Sequence, residues 1–158
     1  MKKLISAIFA VCLVFLLGGC SPNNNETRDL SNVIYPISFE MTLSDLKSKL
    51  GDPDEISDLS GKSVCHFENQ SFQGYAGEYI FRFDEEGYLE FVKFSFSEES
   101  DYNEYFNTLY SKLGTPDKVK KDSNGQHQWF GNVHGEKACF YAQQNPFLNY
   151  IIEVDKID

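Results

Sequence analysis

Five side chains in this sequence are of types that bind metals or attack carbon: Cys65, His66, His127, His134 and Cys139. Thiolate and imidazole together can hold zinc, and a histidine beside a cysteine can activate it as a nucleophile. The spacing, however, fits no zinc module, because neither the paired cysteine arm nor the His-x3–5-His arm is present. Core thiols and hairpin histidines are the plainer reading. Cys65 and Cys139 also leave two alternatives open, a disulfide or a pair of buried free thiols, since spacing alone does not set distance. Gly-x-Ser-x-Gly, the P-loop, His-Glu-x-x-His and the dinucleotide glycine pattern do not occur. No catalytic residue, resident metal or cofactor is therefore assigned, and the chain is read as a non-enzyme. Two acidic turns, Asp52-Pro53-Asp54-Glu55 and Asp84-Glu85-Glu86-Gly87, lack the alternating ligand spacing of a calcium loop and read as solvated turns.

The remaining two cysteines lie near the start, where the pattern concerns address. Lys2 and Lys3 precede an apolar run from Leu4 to Leu17, the layout of a signal peptide and too short for a permanent spanning helix. Leu17-Gly18-Gly19-Cys20 then resembles the lipobox of bacterial lipoproteins. That resemblance implies removal of residues 1–19 and acylation of Cys20, with buried methylenes contributing about 0.8 kcal/mol each to anchoring. An ordinary secreted protein is the competing reading, but it lacks the Ala-x-Ala site. Residues 20–32 are polar and poor in apolar side chains, which predicts a flexible tether.

Loss of Lys2 and Lys3 would move the formal charge from −10 to −12. So acidic a surface is repelled by nucleic acid and by anionic headgroups, which excludes nucleic acid as a partner and assigns membrane attachment to the lipid on Cys20. Residues 33–158 have the length of one domain. Lysine and asparagine abound while Arg28 and Arg82 are the only arginines, the coding bias of an AT-rich genome. The expected location is the cell membrane facing outside the cytoplasm; Ser21 also permits outer-membrane delivery in a two-membrane cell.

The elements that must position any site are announced by a repeat. Ser48-Lys49-Leu50-Gly51-Asp52-Pro53-Asp54 recurs as Ser111-Lys112-Leu113-Gly114-Thr115-Pro116-Asp117, identical at six of seven positions with an offset of 63 residues. Each copy ends an amphipathic pattern with a glycine stop and a proline. Thr42 with Asp45 caps the first helix, and Leu43, Leu46 and Leu50 share a face. Asp101 with Glu104 is the expected second cap, and Tyr102, Tyr105, Phe106, Leu109 and Leu113 form its apolar stripe. Strand patterns follow at residues 63–67, 79–83 and 88–96, and again at 126–130, 137–142 and 148–154. The predicted fold is α+β: two tandem helix-plus-three-strand repeats, about 39–97 and 100–155, forming one antiparallel sheet with the helices packed on one face.

Phe39-Glu40-Met41-Thr42, Leu46 and Leu50-Gly51-Asp52-Pro53, together with Tyr79 to Phe83, Asp84, Gly87 and Leu89, resemble the SmpA/OmlA outer-membrane assembly lipoproteins and the β-lactamase-inhibitor-protein-like (BLIP-like) fold. Glu40 stands where that group carries glycine. The resemblance implies that the exposed face of the sheet binds protein, and no contact residue transfers from it. The expectation is a lipid-anchored extracytoplasmic binding module with a protein partner in the cell envelope, presenting rings from among Tyr79, Phe81, Phe83, Phe91 and Tyr150. The alternative is an envelope enzyme or metal-binding protein using Cys65, His66, His127, His134 and Cys139; a small-ligand capture protein is a third reading.

Overall fold

The computed structural model describes residues 28–34, 37–120, 125–145 and 149–157. The expected leader, Cys20 and the tether as far as residue 27 lie outside the described residues. After strand β1 (Arg28–Asp29) come helix α1 (Leu43–Leu50), β2 (Glu55–Leu59), β3 (Lys62–Phe72), β4 (Tyr75–Phe83) and β5 (Leu89–Phe96). Helix α2 (Glu99–Leu113) is followed by β6 (Lys118–Lys120), β7 (Gln126–Val133), β8 (Glu136–Asn145) and β9 (Asn149–Lys156). The strands form one sheet in the order β1-β7-β8-β9-β5-β4-β3-β2, with β6 also paired to β7, so the α+β class holds.

Helix α1 starts where its capping residues dictate. The Asp45 N–H donates to Thr42 Oγ1 and Asp45 Oδ2 accepts the Thr42 N–H at 2.8 Å, so two backbone donors that the first turn would orphan are satisfied. Both helices stop at a glycine with positive φ, Gly51 at 89° and Gly114 at 71°, whose N–H returns to Lys47 O and Tyr110 O. Helix α2 begins earlier than its expected cap. Glu98 holds the cap position without a side-chain bond, and Asp101 sits in the first turn, where its charge faces the positive end of the helix dipole.

Alternation decides the faces of the sheet. In β4, Tyr79, Phe81 and Phe83 are fully or almost fully buried while Glu78, Ile80 and Arg82 are half-buried. Across the strands, register aligns Cys65, Phe81, Val92, Val154, Phe140 and Trp129 in one row. Leu46 of α1 and Tyr102, Tyr105, Leu109 and Leu113 of α2 join these residues in a single buried cluster, which places both helices against the same face. Phe72, Phe96 and Tyr105 meet at ring separations of 5.1 and 5.8 Å, so the aromatic stripe of α2 is core.

Three expectations need correction. Each helix is followed by four strands rather than three, because residues 55–59 and 118–120 pair at the sheet edges. Every residue of those two strands is exposed, so no alternation marked them. The sheet is mixed rather than wholly antiparallel, since β1 runs parallel to β7. Residues 28–31, expected within the 20–32 tether, belong to the folded body: Leu30 is fully buried, its N–H donates to Asn132 O at 2.8 Å, and Ser31, Val33 and Ile34 are buried with it. A polar dipeptide joined to a few apolar residues looks like a linker until another strand supplies its hydrogen-bond partners.

The repeated aspartates do the same work twice. The Asp54 N–H donates to His66 O and Asp54 Oδ2 accepts from the Glu68 N–H; the Asp117 N–H donates to Gln128 O and Asp117 Oδ2 accepts from the Phe130 N–H. Each aspartate thus ties the entry of an edge strand to the strand beside it.

Candidate functional site

The five residues of the metal or nucleophile pattern are not brought together. Cys65 and His66 are consecutive in β3, so their side chains leave on opposite faces. Cys65 is buried in the core, whereas His66 lies on the helix-free face with Nε2 3.1 Å from Glu78 Oε2. His127 is on the helix side, its ring 4.9 Å from that of Phe106 and its Nδ1 3.0 Å from Gly125 O. His134 occupies the β7–β8 turn at φ 50°, its N–H donating to Ser31 Oγ. Cys139 is buried in β8. No group of three or more His, Cys, Asp or Glu stands at metal-holding distances among the described residues.

Of the two alternatives for the cysteines, the structure takes the free thiols. Strands β3 and β8 are separated by β4, β5 and β9, four steps of about 4.8 Å, far beyond the roughly 7 Å between Cα atoms that a disulfide spans. Burial pushes both thiols above their ordinary pKa, which leaves them poor nucleophiles.

What the structure does assemble is the sheet face opposite the helices. Of the five rings expected there, only Phe91 arrives. Tyr79, Phe81 and Phe83 are core, and Tyr150 packs on Tyr102 of α2 at 5.7 Å. The parity of β4 was the missed signal: if Tyr79, Phe81 and Phe83 fill the core, Ile80 and Arg82 must face outward. Register then aligns Val64, Arg82, Phe91, Asp155, Cys139 and Phe130 in one row. The next row carries His66, Ile80, Lys93, Glu153, Tyr141 and Gln128. Most of these side chains are half-buried, and Cys139 and Gln128 are buried.

A bulge concentrates chemistry at one end of the middle strands of this face. Arg82 pairs with Phe91 while Phe83 pairs with Leu89, so Glu90 is the extra residue and turns toward Arg82. The Arg82 guanidinium donates through Nε to Glu90, stands 3.2 Å from Asp155 Oδ1 through Nη2, and lies 4.6 Å over the Phe91 ring. Lys62 Nζ completes the cluster at 2.8 and 2.6 Å from the two Glu90 oxygens. Burial works to raise the Glu90 pKa, but these donors outweigh it and hold the carboxyl below its usual range. Glu153 goes the other way: burial, then the neighbouring Asp155 charge, push it upward. Asp155 is also raised, by burial that Arg82 only partly offsets.

That contrast gives a pH test. A carboxyl whose folded pKa exceeds its unfolded value binds its proton more tightly in the fold, so its burden on stability is absent below the unfolded pKa and grows as pH rises through the folded one. Glu153→Gln is therefore expected to raise the urea midpoint near pH 7 and to leave it unchanged near pH 3. Equal gains at both pH values would contradict the assignment.

At the opposite ends of β3, β4 and β5 from this cluster, Glu68, Asn69, Gln70, Glu78, Ser95 and Ser97 line an open groove of about 600 Å³. Its two carboxylates and its amides suit hydroxyl-bearing or cationic groups.

No family model and no curated relative matches the chain. Among solved structures it is similar to a DUF4309 family protein (YjgB) from Bacillus subtilis, with a TM-score of 0.50 and 9% identity over 75% of this chain and 80% of that one. The likeness is one of fold. Among the described residues no helix is long and apolar enough to cross a membrane.

Proposed function

We propose that this chain is a lipid-anchored, extracytoplasmic binding module whose protein partner docks on the helix-free face of the sheet. The observation that carries the reading is the make-up of that face, where Ile80, Arg82 and Phe91 stand on the neighbouring strands β4 and β5 and Tyr141 stands on the same face two strands beyond β5. Arginine and aromatic side chains held in place by neighbours lose little entropy on binding and dominate interface energetics. The acylated Cys20 would supply the anchor. The chain's two halves are read as copies of one helix-plus-sheet unit, in keeping with the BLIP-like resemblance. Support comes from the 63-residue offset of the seven-residue motif, the matched aspartate clamps, and a strand order that mirrors itself about the β5–β9 pair.

The test places a photo-reactive residue in intact cells at Tyr141 or Phe91, and as a control at Tyr110, which is exposed on α2 at 43%. A discrete protein adduct is expected from the two sheet positions and none from Tyr110. In the purified complex, Phe91→Ala and Tyr141→Ala are each expected to weaken binding by about 30-fold, the effect of losing roughly 2 kcal/mol at a hot spot. Adducts confined to Tyr110, or full affinity in both alanine variants, would refute the docking face. Palmitate labelling that persists in Cys20→Ala would refute the anchor.

A further inference from the structure

The two outer edges of the sheet carry opposite charge. Strand β2, at one end, reads Glu55-Ile56-Ser57-Asp58-Leu59; strand β6, beyond β7 at the other, reads Lys118-Val119-Lys120. All eight residues are exposed. Three of the five large exposed apolar side chains among the described residues lie on these strands: Ile56 at 51%, Leu59 at 60% and Val119 at 46%. An edge strand with unpaired backbone groups and exposed apolar residues is a template for a further strand.

We infer that copies of this chain associate head to tail, the β6 edge of one copy adding to the β2 edge of the next. Geometry permits this without turning either copy over. From β6 through β7, β8, β9, β5, β4 and β3 to β2 every neighbouring pair is antiparallel, so continuing the sheet by one more copy sets β2 antiparallel to β6. Face parity then selects the partners. Ile56 pairs with Cys65 and Val119 with His127, both on the helix side, so Ile56 and Val119 share a face. Placing Val119 opposite Ile56 sets Lys120 opposite Glu55 and Lys118 opposite Ser57. Asp58 then falls beside Asp117, whose charge Arg28 already pairs.

Like-with-like pairing is the poorer alternative. Two β6 strands centred on Val119 would set Lys118 directly opposite Lys120, a repulsive cross-strand pair, and two β2 strands would gather four carboxylates with no counter-charge. The inferred contact is heterologous and does not close on itself, so it builds strings rather than a fixed dimer. A contact of three to five residues is weak in solution. Confinement to a membrane would raise its occupancy through effective concentration.

A zero-length carbodiimide joins a carboxylate to an amine only where the two touch. Within one copy β2 and β6 are seven strand steps apart, roughly 34 Å, so a Lys120–Glu55 cross-linked peptide can arise only between copies. The experiment uses the full chain in non-ionic detergent at high protein concentration, with peptides identified by mass spectrometry and size followed by sedimentation. Peptides of Lys118 or Lys120 joined to Glu55 or Asp58 are expected, in species extending past the dimer. The double variant Lys118→Glu with Lys120→Glu is expected to raise the dissociation constant about tenfold or more, since it replaces cross-strand attraction with like-charge repulsion. Adding Glu55→Lys with Asp58→Lys should restore association. All four sites are exposed, and unchanged circular dichroism checks that the variants fold. A single monomeric species at every concentration, or oligomers indifferent to the reversals, overturns the inference and leaves the docking face on the sheet untouched.

Discussion

Trp129→Ala is expected to cost about 3 to 5 kcal/mol, enough to leave the domain largely unfolded if its total stability is in the ordinary range. Trp129 is fully buried in β7, its ring 5.6 Å from Phe140 and 6.0 Å from Tyr110, so its removal opens a cavity between the sheet and α2. The same side chain also donates from Nε1 to Gly114 O at 2.9 Å. Gly114 is the stop of α2 and belongs to the repeated motif, so truncation strips a partner from a helix-terminal carbonyl as well as removing volume. Trp129→Phe separates the two effects. It restores most of the packing and not the bond, and a loss of about 1 to 3 kcal/mol is expected. Urea unfolding with an unchanged m-value measures both; an alanine variant within 1 kcal/mol of the parent would show that the cavity collapses or that the ring is not where the structure puts it.

How far the sequence announced this arrangement follows from which residues had local partners. Thr42 with Asp45, Gly51 and Gly114 act within one turn of the chain, so the first helix start and both helix stops were legible. The β4–β5 hairpin was legible for the same reason. Strand β3 ran on to Phe72 because Gln73 and Gly74, with φ of 52° and 94°, make a two-residue turn of the kind Asn-Gly usually supplies. Glutamine gave no warning of it. Strands β2 and β6 escaped notice because their residues are exposed on both faces, and β1 because the strand it pairs with lies about a hundred residues away. The site fared worst. The Cys and His residues share a chemistry but not a place: alternation put Cys65 and His66 on opposite faces, and strand order put β3 and β8 far apart. Residue type alone does not send an aromatic ring to the exposed face, and parity within β4 assigned Tyr79, Phe81 and Phe83 to the core and Arg82 to the outside.

Both arginines of the chain stand at places where the structure needs a charged group with several donors. Arg82 knits Glu90 and Asp155 across the helix-free face. Arg28 donates to Leu113 O at 2.7 Å, Thr115 O at 3.0 Å and Phe130 O at 3.3 Å, and pairs with Asp117. A planar fork with five donors can do this where a lysine cannot. Arg28 thereby locks the first strand to the motif that ends α2, and the point where any anchor segment meets the folded body is fixed rather than loose.

Gly131→Val tests that lock with the second large effect. A Cβ at position 131 would overlap the Arg28 carbonyl oxygen and stand 2.9 Å from Leu30 Cγ, because β1 and the residue after it approach β7 closely at this point. Backbone cannot yield as a flexible side-chain tip can, so the strain falls on the weaker element, a two-residue strand at the edge. Valine is expected to eject Arg28–Asp29, unseat Leu30 from the core and lower stability by about 2 to 4 kcal/mol, the sum of overpacking and lost burial. Hydrogen exchange should rise sharply at Leu30, Gly131 and Asn132 and little at Phe81, Phe94 or Phe140 in the central strands. The consequence reaches function through length. If Cys20 carries the lipid proposed above, docked β1 leaves at most residues 21–27 between the anchor and the body, a reach of about 25 Å at full extension, and released β1 would add about 10 Å to it. On vesicles carrying the acylated chain, energy transfer between a bilayer dye and a label on the body should therefore fall in Gly131→Val, and an unchanged signal together with unchanged exchange at Leu30 would mean that β1 is not the clasp.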